Sequence, residues 1–428
     1  MHISLLYLHE RRANDLSLWL RSIAAVESIQ VLLLVSNETQ HHVHKLTNDC
    51  NHHFEIRNID TPARQELNPQ GNKLQSLFRE VSYVFGEFKS RNKQSLSLLS
   101  QYPNTVLITY DDRMPSLISI LKSAHTLKIP VFLPSILTAT PDRKTQTSNV
   151  LQEKRFVEKV LAIFARGCCR NQLNDEGRLY YSPISFLMLA FQRALPDNPW
   201  AKGTSRFVSV VGVEAVYIRD LLLDFGVPIQ KMSVTGLPVY DFMDFSTDQR
   251  ISKKVLLLAL PQYAEHGAMG LAEAMSNIRE IFQGLSVFEG RIVVSLHPRM
   301  KREDYEPEIR KFGYECATEN AEHWIKRCSL FVAANSSSTI YWALMLGVRT
   351  LLLNHVYPKS DLFRHFESLQ YIEDSPSQEL PKFVVTSKAN WDQLIEDDQK
   401  KLSMELVSDG HCGRRNLEII STLQSRPA

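Results

Sequence analysis

The feature that most constrains this chain is an alternation, run through twice, of short apolar segments with longer amphipathic ones. His2 to Leu8, Gln30 to Val35, Thr105 to Tyr110 and Pro130 to Leu133 have strand length. Leu16 to Ala25 and Leu117 to Leu127, set among them, have helix length and an apolar face of helical period. Apolar strands separated by amphipathic helices specify a parallel sheet covered on both faces. A second series starts at Lys254 with VLLLAL. It continues with a helix near Ala268 to Gln283, RIVVSL at 291–296, a helix near Glu303 to Phe312, LFVAA at 330–334, a helix from Ser338 to Leu346 and TLLLN at 350–354. The stretch 142–200, which includes Leu151 to Phe164, reads as a polar, mostly helical covering on the outside of the first series and is assigned no chemistry.

A chain of 428 residues is too long for one ordinary core and suits two domains. The two series therefore predict two Rossmann-like α/β domains with a cleft between them. Gly236 and Pro238 break structure, and a polar run precedes the strand at 254, so the join falls within 234–250 and the domains are 1–245 and 246–428. Trp391 to Leu423 reads as helical with an interruption at Asp409 to Gly413, and its last helix is expected to pack back on the first domain.

Charge excludes one class of partner. Lys plus Arg (49) nearly cancels Asp plus Glu (47), so nothing draws the whole chain to nucleic acid, and any anion site is local. The six cysteines form no CxxC pair and suit no zinc site or disulfide framework, as expected of reduced thiols in a cytoplasm. The apolar start is too short for a signal peptide and soon meets His9, Glu10, Arg11 and Arg12, and no apolar run reaches the 18 or more residues a spanning helix needs. The expected location is cytoplasmic, with at most peripheral contact with the inner membrane. His41, His42, His44, His52 and His53 lie on a polar stretch without matching Cys or carboxylate pairs, so they read as solvated surface and no metal is assigned.

Ligands of an open α/β sheet bind beyond the carboxyl ends of its strands. His297, Pro298 and Arg299 follow RIVVSL directly, where a histidine can donate to phosphate and an arginine can add charge. LFVAA runs through Asn335 into Ser336, Ser337, Ser338 and Thr339 and then an apolar-faced helix. Backbone N–H groups and hydroxyls gathered at a helix start attract phosphate, whereas ordinary capping needs only one of the four. Glu265, His266 and Gly267 occupy the loop after the first strand of the second series. Tyr357 to Asp361, after the strand ending at Asn354, are placed to touch a sugar. In the first half Asp111 and Asp112 end a strand before a helix: one reads as the helix cap and the other as a general base, with Glu10 as the reserve base.

These residues resemble a known group. GVPIQKMSVTGLPVYDFM (226–243), SLHPRM and NSSSTIYWALMLGV are similar to stretches of the C-terminal domain of GT-B proteins, which include bacterial surface-polysaccharide glycosyltransferases and UDP-N-acetylglucosamine 2-epimerases. The order Asp111-Asp112, His297-Pro298, Ser336-Ser337 resembles the Asp-Asp-Gly, His-Pro and Ser-Ser motifs of bacterial sialyltransferases and Kdo transferases, with Arg113 where that family has Gly. The resemblance implies a metal-independent glycosyltransferase without cofactor. Its donor would be a nucleotide sugar, a CMP-sugar before a UDP-sugar, and its acceptor a surface glycan or glycolipid. The competing implications are a UDP-N-acetylglucosamine 2-epimerase-like enzyme and a catalytically inactive nucleotide-sugar-binding protein. FLPSILTAT, which lacks the carboxylate that epimerases carry after that strand, argues for transfer.

Overall fold

The computed structural model describes residues 3–7, 13–35, 43, 47, 52–59, 73–136, 155–174, 177–242, 254–265, 269–297, 299–319, 321–334, 337, 339–356, 363–385, 389–405 and 407–425. Two compact units emerge: Met1–Met243 with Glu405–Ala428, and Asp244–Met404.

The first unit runs β1 (Ile3–Tyr7), α1 (Ala13–Ala24), β2 (Gln30–Val35), β3 (His53–Asn58), α2 (Lys73–Leu99), β4 (Val106–Ile108), α3 (Pro115–Thr126), β5 (Val131–Leu133), α4 (Arg155–Cys168), α5 (Pro183–Phe191), β6 (Val210–Val213), α6 (Val216–Asp224) and β7 (Met232–Val234). Its sheet has the order β3-β2-β1-β4-β5-β6-β7, and every pairing is parallel, with Leu5 opposite both Leu32 and Leu107. α1 buries Leu16, Trp19, Leu20 and Ile23, the helical-period stripe visible in its sequence.

The second unit runs β8 (Val255–Ala259), α7 (Leu271–Leu285), β9 (Arg291–Ser295), α8 (Arg302–Lys311), β10 (Glu315–Cys316), α9 (Ala321–Ile325), β11 (Leu330–Ala334), α10 (Thr339–Met345), β12 (Arg349–Leu353), β13 (Leu369–Ile372), α11 (Pro376–Val384) and α12 (Ala389–Glu405). Its parallel sheet has the order β10-β9-β8-β11-β12-β13, with Leu257 opposite Val293 and Phe331. All five residues of β12 are buried, as a strand covered on both faces requires. α7 supplies Ile278, Ile281, Phe282 and Leu285 to one side of this core.

Both sheets are doubly wound. The chain adds strands outward from the first strand of each unit, returns, and adds the rest on the other side. The winding therefore reverses between β1 and β4 in the first unit and between β8 and β11 in the second, and at such a point the two flanking loops diverge.

The last helix, α13 (Cys412–Gln424), belongs to the first unit and packs on α1. Asp241 holds its start: the carboxylate accepts from the N–H of Cys412 at 2.9 Å and of Gly413 at 2.8 Å, and also from the Ser22 hydroxyl of α1. Arg415 Nε donates to the carbonyl of Thr235 at 3.0 Å. A Cβ on Gly413 would stand 2.0 Å from the Ser22 carbonyl oxygen, so the helices meet through bare backbone. Among the described residues no helix is long and apolar enough to cross a membrane.

β3 and α2 lie where the sequence shows no clear signal. β3 (HFEIRN) is an edge strand with four of its six residues polar and no buried position, and so lacks an apolar run. His52 departs from the solvated surface expected of it. Its Nδ1 accepts from the N–H of Ile29 at 3.1 Å and its Nε2 lies 2.9 Å from the carbonyl of Leu20, tying the end of α1 to β3, while burial lowers its pKa. His41, His42 and His44 lie outside the described residues.

Gly413→Ala is expected to destabilise the first unit by about 1 to 3 kcal/mol, since α1 and α13 must separate to admit one methyl group. Asp241→Ala is expected to cost a similar amount by orphaning two N–H donors of a helix start. Urea unfolding of the whole chain measures both, and an unchanged midpoint for either variant would remove this contact from the account of stability.

Candidate functional site

At the carboxyl edge of the second unit's sheet, β8 runs into Leu260, Pro261, Gln262, Tyr263, Ala264 and Glu265. Glu265 Oε1 accepts from the Tyr305 hydroxyl at 2.6 Å, and Tyr305, on α8, is 1% exposed. Burial pushes this phenol above its ordinary pKa, and the Glu265 carboxylate adds to the rise, so Tyr305 remains a donor. Three side-chain atoms in the same loop, Gln262 Oε1, Tyr263 Oη and Glu265 Oε2, are buried without a hydrogen-bond partner among the described residues. A buried polar atom left unpaired costs about 1 to 3 kcal/mol, so three on one six-residue loop call for a compensating ligand or water. The Tyr263 ring stands edge-on to His355, which follows β12, with centroids 6.1 Å apart.

The neighbouring strand, β9, ends at Ser295, and Leu296 and His297 follow. His297 Nδ1 accepts from the N–H of Arg299 at 3.1 Å, which places the proton of a neutral ring on Nε2 and makes that nitrogen a donor. Arg299 is exposed. Past β11, Ser337 Oγ and Thr339 Oγ1 lie 2.6 Å apart and satisfy each other, and the Ser337 carbonyl accepts from Ile340 N–H as α10 opens. α10 has only seven residues, shorter than the sequence suggested. Pro298, Ser336, Ser338, His266, Gly267 and Tyr357 to Asp361 lie outside the described residues. The structure thus brings Glu265, His297, Ser337 and Thr339 to one edge of one sheet, on strands that are neighbours in the order β9-β8-β11.

In the first unit, Asp111 and Asp112 follow β4 at its switch point, but neither caps α3. Met114 holds the cap position without a side-chain bond, and Pro115 begins the helix. Both carboxylates turn instead to other partners. Asp111 accepts from Arg113 three times: from its N–H at 2.8 Å, from Nε at 3.0 Å and from Nη2 at 2.7 Å. Burial would raise its pKa, yet the adjacent guanidinium outweighs burial and holds it below the ordinary range. Arg113 therefore has a definite task where the resembling family has glycine. Asp112 has no exposed surface, and its two oxygens accept from Gly203 N–H at 3.0 and 3.1 Å and from Ser205 N–H at 2.9 Å. Gly203 has φ +85, and Val211 Cγ2 lies 2.5 Å from where a Cβ would sit, so this loop is cut to glycine. Burial, and then the charge of Asp111, push Asp112 up to about 6. Glu10, the reserve base, lies outside the described residues.

Sequence reasoning passed over a further carboxylate at this edge. Glu214, 1% exposed, follows β6 and lines a cavity of about 20 Å³, room for roughly one water, together with Pro134, Ser135, Lys202 and Gly212. The available signal was VVGVEAV, an apolar run closed by a carboxylate at a strand-to-helix junction just as at Asp111.

No family model matches the chain, and no curated protein matches it. Solved structures do. The UDP-N-acetylglucosamine 2-epimerase of Neisseria meningitidis, bound to UDP-GlcNAc, has a TM-score of 0.52 at 11% identity, covering 99% of this chain and 100% of that one. Arabidopsis thaliana UGT89C1, complexed with UDP, has a TM-score of 0.55 at 12% identity, with 99% and 100% covered. A structure assigned as a UDP-N-acetylglucosamine 2-epimerase from Listeria monocytogenes has a TM-score of 0.54 at 11% identity, with 100% and 98% covered. At such identities what is shared is the fold. The chain has a GT-B-type fold of two Rossmann-like units: the double alternation implied the two units, and the motif resemblance implied the GT-B type.

The raised Asp112 carboxyl gives a pH test. The folded state holds this proton more tightly than the unfolded chain, whose value is near 3.8, so the group contributes stability below that pH which is lost as pH rises through about 6. The stability of the parent chain minus that of Asp112→Asn is therefore expected to fall between those two values. Urea midpoints of both proteins across this range decide it. A difference that rises with pH would show the N–H groups of Gly203 and Ser205 holding the carboxylate ionised instead.

Proposed function

We propose that the chain binds a nucleotide sugar at the carboxyl edge of the second unit's sheet and transfers the sugar to an acceptor hydroxyl. The observation that carries this reading is the set of unpartnered buried atoms on Gln262, Tyr263 and Glu265, placed at the point where the winding reverses. A sugar presents hydroxyls that donate to Gln262 Oε1 and Glu265 Oε2 and accept from Tyr263 Oη. His297 and the backbone opening α10 then face the phosphates, where a neutral imidazole donating from Nε2 stabilises the departing nucleotide.

The ligands named with the Neisseria and Arabidopsis structures, UDP-GlcNAc and UDP, support a uridine nucleotide over the CMP-sugar that the motif resemblance suggested. The sialyltransferase-like reading rests on its motif residues alone. Asp111, held ionised by Arg113, is a weak base, and Asp112 is tuned near 6 but enclosed, so transfer assays on Asp111→Asn, Asp112→Asn and Glu10→Gln made separately assign the proton acceptor. A second reading, epimerisation of UDP-N-acetylglucosamine, is favoured by the likeness to the Neisseria epimerase and requires no acceptor. Incubation with UDP-GlcNAc alone separates the two: transfer leaves the sugar nucleotide intact, and epimerisation yields the 2-epimer or free UDP.

In calorimetric titration UDP is expected to bind more tightly than CMP. His297→Ala is expected to weaken UDP binding roughly ten- to hundred-fold, the worth of a charge-assisted hydrogen bond of about 1.5 to 3 kcal/mol, with the unfolding midpoint unchanged. Glu265→Gln should leave UDP affinity nearly intact while lowering affinity for the complete UDP-sugar. Tighter binding of CMP, or full affinity in His297→Ala, would sink the uridine reading or remove His297 from the site.

A further inference from the structure

We propose that α4 and α5 form a docking face for an anionic lipid bilayer. α4 separates apolar from polar residues more sharply than the other longer helices among the described residues, yet the side chains described as buried on it are small, Ala162 at 6% and Ala165 at 0% exposure. At about 100° per residue, Val160, Ile163 and Phe164 fall on the opposite side of the helix. They are 50%, 67% and 60% exposed. An ordinary surface helix turns its large apolar residues inward and its charges outward, whereas Val160, Ile163 and Phe164 of α4 face out.

α5, in contact with α4 and α2, continues the face with Leu187 and Phe191, one turn apart and 44% and 79% exposed. Phe85 of α2 meets the Phe191 ring with centroids 6.3 Å apart. Exposed large hydrophobics elsewhere among the described residues are spread over many elements, whereas these five sit on two touching helices.

Charge selects the occupant. Lys159 and Arg166 are exposed on the flank between the outward apolar side of α4 and its seat, and Arg170, also exposed, follows in the next turn. Residues 155–193 hold six basic and three acidic side chains, an excess of three. An apolar stripe of Phe and Ile bordered by Lys and Arg is the composition of a helix lying in a headgroup layer, where the apolar side chains enter the acyl boundary and the cations meet phosphate. The face is separate from the nucleotide reading, since none of its residues belongs to the sheet-edge loops.

The test is sedimentation of the full chain with vesicles of phosphatidylcholine alone and of equal parts phosphatidylcholine and phosphatidylglycerol. Binding is expected to the mixed vesicles, to weaken with added salt, and to be much lower on the neutral ones. Phe164→Asp and Phe191→Asp are each expected to reduce it about tenfold or more, and Lys159→Gln with Arg166→Gln together by about ten- to thirty-fold. All four positions are exposed, so the unfolding midpoint and UDP affinity of each variant should match the parent. Failure to sediment with the mixed vesicles, equal binding to both kinds, or undiminished binding by Phe164→Asp would overturn the proposal. So would a dimer in ultracentrifugation that Phe164→Asp dissolves, because a second copy would then own this face.

Discussion

Everything at the proposed ligand edge depends on the pairing of one strand with two partners that the chain reaches from opposite directions. β8 lies between β9 and β11 with Leu257 in register with both Val293 and Phe331. The chain leaves β8 on one side and returns to it on the other, so the loops following β8 and β11 part company. β1, between β2 and β4, imposes the same geometry on the first unit. Loop chemistry can vary at such a place without disturbing the sheet, because the strands are held by backbone bonds and two-sided burial.

That division explains what the sequence disclosed. β8, β9, β11 and β12 are legible because burial on both faces demands unbroken apolar runs, and LFVAA falls on β11 residue for residue. β3 is illegible because an edge strand open to solvent carries no such demand, and HFEIRN reads like a loop. The candidate residues split likewise. The strand-end positions of Asp111, Glu265 and His297 follow from local alternation, but their tasks do not. Nothing near Asp112 in sequence announces that Gly203 and Ser205, some ninety residues on, supply its hydrogen bonds. Nor does Glu265 announce its partner on α8.

The two adjacent aspartates show how environment divides equals. Arg113 fixes Asp111 as an anion, and burial together with that charge makes a second anion at Asp112 costly despite the N–H groups of Gly203 and Ser205. A glycine in place of Arg113 would remove the guanidinium that Asp111 accepts from, leaving Lys202 as the remaining positive charge acting on it and a different proton affinity at each carboxylate. Arg113 is itself fixed in place, since its carbonyl accepts from the Tyr181 hydroxyl at 2.6 Å.

The joining of α13 to α1 through Asp241 and Gly413 bears on the order in which the molecule can be made. The second unit is one continuous stretch, whereas the first is interrupted by it and completed only afterwards. During synthesis the ribosome delivers β1 through β7 first, then the whole of the second unit, and only then the helix that covers Ser22. Until that moment α1 carries an uncovered flank and Asp241 has no helix start to hold, so the first unit waits as an incomplete intermediate while the second can fold beside it. A chaperone that shields apolar surface would have its opportunity on α1 for as long as the second unit is being made, and α13 would release that surface on arrival.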